Sequence, residues 1–397
     1  MPVGVGAAAA PGVPAAGAGM RWALMAGNVA IGCGVMAVPG VLNDLARSLQ
    51  VSVAVGGQLF AIGAAVTCVS APLAAAVVSG WDRRRLLVGA LLLYAVGHAL
   101  SFFAGGYGEL ALLRAVSVLA AAVFTPQAAA AIGHLSAPSE RGRHITFVFL
   151  GWSIASVIGT PLASLTGELF GWRWAFALVA LMSAGVALWL WRAMPAGVQP
   201  PALSARAWRG VLVDRRLMAT IAVTACGSAG QFTLFAYFAP YAREVLGAGP
   251  AQVGLLFFWF GLFAFLGNVL LSRHIDRIGP GRAVTAVMVV MVVGQALWPL
   301  AGDVPTALAA AVLLALGSFA YNSGQQARLS HAAPLLAPAL MALNTSALYL
   351  GQAVGTASGG LILGRFGYAA LSPAALVWLV AGLTLSAALV ARGRAHR

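Results

Sequence analysis

The chain is a succession of long apolar runs separated by short charged punctuation, and that alternation excludes most folds. Apolar segments fall near 22–42, 53–78, 86–104, 109–134, 145–169 and 172–192. After a polar stretch at 193–216 they resume near 217–240, 251–272, 282–301, 304–330, 335–363 and 369–391. A helix needs roughly 20 apolar residues to cross a hydrocarbon core of about 30 Å. A water-facing globule carries about a quarter of its residues as charges; here 8% are charged and 61% are hydrophobic. Unpaired backbone groups are costly in lipid, so spans are helices or a closed barrel, and runs that rarely alternate favour helices. The pattern predicts an all-α membrane protein with twelve transmembrane helices, arranged as six, a linker and six.

The arginines supply the orientation. The formal charge is +14, and no lysine is present. With the N-terminal end inside, Arg47, Arg173, Arg243 and Arg365 fall on the outer side and Arg114 falls inside a span. Every other arginine falls in a cytoplasmic segment, which is the positive-inside pattern. Basic residues spread between spans, rather than along one face, argue against a nucleic-acid partner. The expected organisation is a disordered cytoplasmic tail at 1–20, a six-helix bundle at 21–192 and a cytoplasmic linker at 193–216. A second bundle at 217–391 and a short cytoplasmic tail at 392–397 complete it. Cys33, Cys68 and Cys226 lie far apart inside apolar runs and read as small buried hydrophobes. No metal-ligand spacing, nucleophile–base pair or intramembrane acid pair occurs, so no metal, cofactor or enzymatic activity is expected.

The halves echo each other. "GTPLASLTGELFGW" begins at Gly159 and "GTASGGLILGRFGY" at Gly355, which aligns Phe170 with Phe366 and Gly171 with Gly367. Two charged loops also correspond, each joining the second and third spans of its half on the cytoplasmic side. The second, "HIDRIGPGR", places Asp276, Arg277, Gly279 and Arg282 in a tight turn. The first, "VVSGWDRRR", has Ser79 and Gly80 where the acid and first arginine would stand, and keeps Arg83, Arg84 and Arg85 beside a displaced Asp82. A carboxylate at such a turn can accept hydrogen bonds from a helix N-terminus and from arginines across a bundle interface.

These loops resemble the signature of the major facilitator superfamily. The fifth-span stretch "GWSIASVIGTPLASLTG", with Gly151, Gly159, Pro161 and Gly167, looks like the family's antiporter motif, departing from it at Thr160, Ser164 and Leu165. The segment "ARLSHAAPLLAPALMALNTSALYLGQAVGTASGG" is similar to the bacterial arabinose-efflux-permease and chloramphenicol-resistance branch of the drug:proton antiporters. The resemblance covers nearly all of 22–391. It implies two pseudo-symmetric six-helix bundles, alternating access, a bacterial plasma-membrane location and a monomer. It also implies a cytoplasmic gate formed by Asp276–Arg282 with Arg83–Arg85, and a role for Arg114 in proton coupling or anion contact.

Buried charge is expensive in a bilayer, so an intramembrane arginine normally faces a wet or paired interior. Arg114 lies about five residues into the fourth span, and Glu109 or Glu168 could serve as its titrating partner. His98 reads as a structural residue of the third span. Polar residues in cavity-lining spans are the substrate candidates: Asn28, Gln127 and Gln231 in one set, Asn322, Gln326, Asn344 and Gln352 in the other. Trp152, Tyr237 and Trp259 could offer apolar or stacking faces. A mostly apolar pocket with a few amides suits a neutral amphipathic ligand. Together these readings predict a secondary transporter that exports a small organic compound, drug-like or a metabolite, in exchange for protons. Sugar or metabolite efflux, facilitated diffusion without proton coupling, and a non-transporting sensor are the alternatives.

Overall fold

The computed structural model describes residues 17–78, 80–136, 141–199, 205–333 and 336–395. The first half holds α1 (Ala18–Ser48), α2 (Val53–Val77), α3 (Arg83–Phe102), α4 (Tyr107–Leu135), α5 (Arg141–Phe170) and α6 (Trp172–Ala193). A nine-residue helix, α7 (Ala205–Val213), lies in the stretch expected to be a linker between the bundles. The second half holds α8 (Arg215–Phe235), α9 (Phe238–Glu244), α10 (Pro250–Ile278), α11 (Pro280–Leu297), α12 (Val304–Ser318), α13 (Ala320–Ala332), α14 (Ala337–Phe366) and α15 (Leu371–Ala395). The seventh span is therefore α8 with α9, and the tenth is α12 with α13. Eleven described segments are long and apolar enough to cross a membrane. The remaining span, α14, is the eleventh in chain order; it has 30 residues and carries Asn344, Gln352, Thr356 and several glycines. The expected tail ends early, because α1 already begins at Ala18.

Charges that have no place in lipid work at the helix ends. Ser52 accepts a hydrogen bond from Val55 N at 3.2 Å. Asp82, Asp214 and Asp303 cap α3, α8 and α12, leaving fewer unpaired N–H groups at each start. Hydrogen bonds from the Thr306 side chain and backbone hold the Asp303 carboxyl below the usual carboxylate range.

Glycine sets the crossings inside each half. α1 packs along α5 and α8 along α14. Gly151 lies against the Met25 carbonyl, and Gly351 against the Ala225 carbonyl. Asn28 Nδ2 donates to Val148 O at 2.9 Å and Ser228 Oγ to Leu348 O at 2.8 Å. All these pairs repeat at a spacing of 200 positions. Gly171 and Gly367, both at positive φ (92° and 74°), repeat at 196. The echo read from the sequence thus holds at the outer helix ends, while at the crossing it is about one helical turn out of step. Between the halves, α2 packs along α14 and α5 along α10. There Gly261 closes onto the backbone of Ser156 and Val157, where a Cβ would come within 2.7 Å of Val157 Cα.

Candidate functional site: a buried arginine and an outer seam

Arg114 is buried against three helices at the interface of the halves, with 3% of its surface exposed. Pro39 has no N–H to give Val35 O, four residues earlier, so that carbonyl is free for another donor. Arg114 Nη2 reaches it at 3.4 Å, and Nη1 donates to Gly34 O at 2.9 Å. Gly34 must be small, because a Cβ there would run into Tyr94 and lie 2.9 Å from His98 Nε2. Tyr94 OH donates to Ile31 O at 3.0 Å. His98 Nδ1 lies 2.8 Å from Tyr94 O and therefore carries the hydrogen, which leaves Nε2 as acceptor facing Arg114 Nη1 at 3.5 Å. His98 is thus a fixed, neutral support of the arginine, in keeping with its structural reading.

A narrow space with room for about one water molecule opens beside the guanidinium. Val35, Phe60, Gly63, Arg114, Tyr349 and Gln352 line it. Gln352 is buried and its Oε1 has no partner, as has Arg114 Nε. Of the amide candidates, only Gln352 lies at this cavity. Asn28 spends both ends of its amide inside the first half, on Val148 O and on Thr125 Oγ1, which also receives the Trp152 indole N–H. Asn344 Oδ1 accepts from Thr224 Oγ1 at 2.7 Å, and its Nδ2 meets Asn322 Oδ1 at 3.2 Å. Gln127 and Gln231 are buried in α4 and α8, and Gln326 is half-buried in α13. Its neighbour Gln325 is the better-tied amide, donating to Thr220 O at 2.7 Å. Trp259 gives its indole N–H to Leu308 O, so it fastens α10 to α12.

The expected pairing of Arg114 with an acid is not formed. Glu109 accepts from Gly105 N at the start of α4, and Glu168 accepts from Arg243 Nη2 at 3.3 Å. Arg243 also faces Asp44 at 3.7 Å, and Asp44 pairs with Arg47. This cluster joins the C-terminal ends of α1 and α5 to α9 of the other half. Nearby, Phe60 stacks on Phe232 with centroids 5.1 Å apart, and Gln58 Nε2 donates to Tyr237 OH at 3.4 Å. Tyr237 in turn donates to Thr356 O at 2.9 Å. It is a seam residue between α2 and α14 and not a cavity wall.

At the two charged loops between the second and third spans of each half, Asp82 caps α3 and also accepts from Gly197 N. Arg83 donates to Val78 O at 2.9 Å, and Arg84 lies 4.1 Å over the Trp191 ring. In the second loop, the Asp276 side chain lies outside the described residues. Gly279, at φ 86°, ends α10 and starts α11, while Arg277 and Arg282 are exposed. The antiporter-like glycines Gly151, Gly159 and Gly167 face α1 of their own half, and Pro161 lies inside α5.

Sequence reasoning overlooked Tyr349, Thr125, Pro39 and the Arg243 cluster. Pro39 is one of four prolines inside helices of the first half, with Pro72, Pro126 and Pro161, so the sequence alone does not say which freed carbonyl Arg114 takes.

The comparisons agree with this architecture. A chloramphenicol resistance protein of Streptomyces lividans is 29% identical over 342 residues, covering 85% of this chain and 87% of that protein. The putative transporter AraJ of Escherichia coli K12 is 27% identical, covering 89% and 91%. The inner membrane transport protein YdhP of the same organism is 26% identical, covering 91% and 93%. A solved bacterial homolog of the human lysosomal transporter Spinster superposes with a TM-score of 0.69 at 18% identity, covering 93% of each chain. The Major Facilitator Superfamily matches over residues 24–334 and 221–396. With two six-helix halves, a glycine-set repeat and a buried arginine where they meet, this multi-pass membrane protein belongs to the Major Facilitator Superfamily of secondary transporters and is not an enzyme.

Proposed function

We propose that the protein exports a small organic compound by alternating access in exchange for protons, in a bacterial inner membrane. The observation that carries this reading is the outer cluster: Arg243 of one half is held by Asp44 and Glu168 of the other. A carboxylate that bridges the halves links their separation to the loss of an ion pair. Removing the Glu168 or Asp44 carboxylate by substitution releases Arg243 and favours separation of the halves at this end. Coupling requires that proton and substrate favour different states. Arg47 and Arg173 are the other charged groups facing this cluster. At the opposite end, Asp276–Arg282 with Arg83–Arg85 is proposed as the cytoplasmic gate. Asp276→Asn is expected to lower transport severalfold at equal protein level, and unchanged rates would remove the gate.

The test is retention of a compound panel in cells stripped of their own efflux pumps, with and without a protonophore. The panel includes the carboxylates, amides, amines, sugars and nucleosides of matched size. Export that collapses with the protonophore, and that Glu168→Gln uncouples from it, supports the reading. Export indifferent to the protonophore makes the protein a facilitator, and no export of any member rejects export for these classes.

A further inference from the structure

We infer that the compound carried is an organic monoanion, whose carboxylate is held by Arg114 in the cavity between the halves. The inference rests on the transport reading above and names its substrate class. Arginine stays charged in proteins, and a buried charge is tolerated when something compensates it. Here the acceptors reached by Arg114 are all neutral: Gly34 O at 2.9 Å, Val35 O at 3.4 Å and His98 Nε2 at 3.5 Å. Its Nε has no partner at all.

The chain has few acids to offer, and their positions show where they are spent. Asp82, Asp214 and Asp303 cap helices, Glu109 accepts from Gly105 N, and Asp44 and Glu168 hold Arg243. Among the described residues no carboxylate neutralises Arg114. The counter-charge is therefore left to a ligand.

The space has the chemistry to receive a carboxylate group, and parting of α14 from the first half is what would make room for the body of the ligand. Gly63 leaves room on the Nε edge of the guanidinium, since even a Cβ there would sit 3.5 Å from Nε. The Gln352 amide and the Tyr349 hydroxyl line the same space and are further donors for a carboxylate. Val35, Phe60 and Val118 supply apolar wall for the body of the molecule. One cation with neutral donors matches a single negative charge. A phosphate dianion would call for a second cation, and no other charged side chain lines this cavity. A neutral ligand would leave the arginine uncompensated, and a cationic one would be repelled.

The experiment uses the purified full chain in detergent and three probes of one shape: benzoate, benzamide and benzylamine. Binding is read as a shift in thermal unfolding and as a dissociation constant at neutral pH, in low chloride. Benzoate is expected to bind at least about tenfold more tightly than benzamide, with benzylamine weaker still. Arg114→Gln is expected to erase the preference for benzoate over benzamide. Gln352→Leu, which leaves the arginine in place, should weaken benzoate about tenfold and serves if the first variant does not fold. Equal binding of benzoate and benzamide, tighter binding of benzylamine, no binding of any probe, or a preference unchanged in both variants would overturn the inference. Competition by chloride as strong as by benzoate would also overturn it, by showing an inorganic-anion site. Export is scored separately in the cell assay. Benzamide exported while benzoate is neither bound nor exported leaves the export reading standing and removes this one. Benzoate bound but retained by cells does the reverse.

Discussion

Pro39 of α1 and Pro240 of α9 occupy matching places in the first span of each half, but only the second lies beside a break in its helix. Proline withholds a hydrogen bond from the carbonyl four residues earlier and crowds it. In α1 that carbonyl is Val35 O, and Arg114 reaches across from α4 to take it. The helix runs through from Ala18 to Ser48. In the second half the carbonyl is Ala236 O. The helix matching α4 is α12, whose buried side chains Ala307, Ala311 and Leu314 offer no donor. There α8 stops at Phe235, Tyr237 N turns back to Leu234 O at 2.9 Å, and α9 begins at Phe238. The same backbone problem is solved by a side chain in one half and by a turn in the other. The first solution installs a charge at the interface. The second swings Tyr237 into the seam, where it meets Gln58 and Thr356.

The largest effect is expected from Arg114→Leu. It removes the donor that keeps Val35 O satisfied, and a buried unpaired carbonyl costs about 1–3 kcal/mol. Amide hydrogen exchange at residues 35–38 should accelerate, so that α1 comes to behave as the seventh span does, and export should fall by more than about tenfold. Loss of the buried charge can raise overall stability, so the local exchange rate is the deciding quantity. Exchange unchanged at 35–38 would break the comparison.

Pro240→Ala probes the other half and should act less strongly. Alanine restores an N–H for Ala236 O, which favours one continuous helix over α8 and α9. Tyr237 then leaves the seam, and its bonds to Gln58 and Thr356 are lost. Transport is expected to drop severalfold with the protein still folded. A tyrosine that keeps both contacts in the variant, seen by structure determination, would show that the seam and not the proline sets the break.

Much of the architecture was legible because lipid simplifies the reading. Few charges are affordable in hydrocarbon, so apolar runs give the spans and the arginines between them give the orientation. The site was only half legible. Arg114 announced itself as a charge inside a span, yet its neighbours Tyr349 and Gln352 come from α14, far along the chain, and no spacing rule joins α4 to α14. The amides misled for a physical reason. Asn28 and Asn344 look like ligand groups in sequence, but each is consumed by helix-to-helix hydrogen bonds that an apolar surrounding makes worthwhile. The offset of 196 was read from the helix ends; the crossing at 200 depends on which glycine meets which carbonyl, and that is a matter of packing. Glu168 was seen as a titrating group, but its partner Arg243 belongs to the other half and became visible only when the halves were placed together.

The smallest effect is expected at the outer cluster. The side chains of Arg243 and Glu168 are 20% and 38% exposed, so water and salt screen the pair, and its worth is about 1 kcal/mol or less. Glu168→Gln should therefore shift the balance between outward-open and outward-closed forms by only about fivefold. That shift can be read by the accessibility of a cysteine placed at the seam to an impermeant reagent. Raising salt should mimic the variant, because it weakens an exposed ion pair far more than the buried contacts of Arg114. The pairing itself is tested by exchange: Arg243→Glu combined with Glu168→Arg should recover part of the closed population that either change loses alone. No recovery would mean that Asp44 and not Glu168 holds the arginine. The outer closure would then rest on α1, the helix whose proline Arg114 already supports, and both devices of the first half would be gathered on one helix.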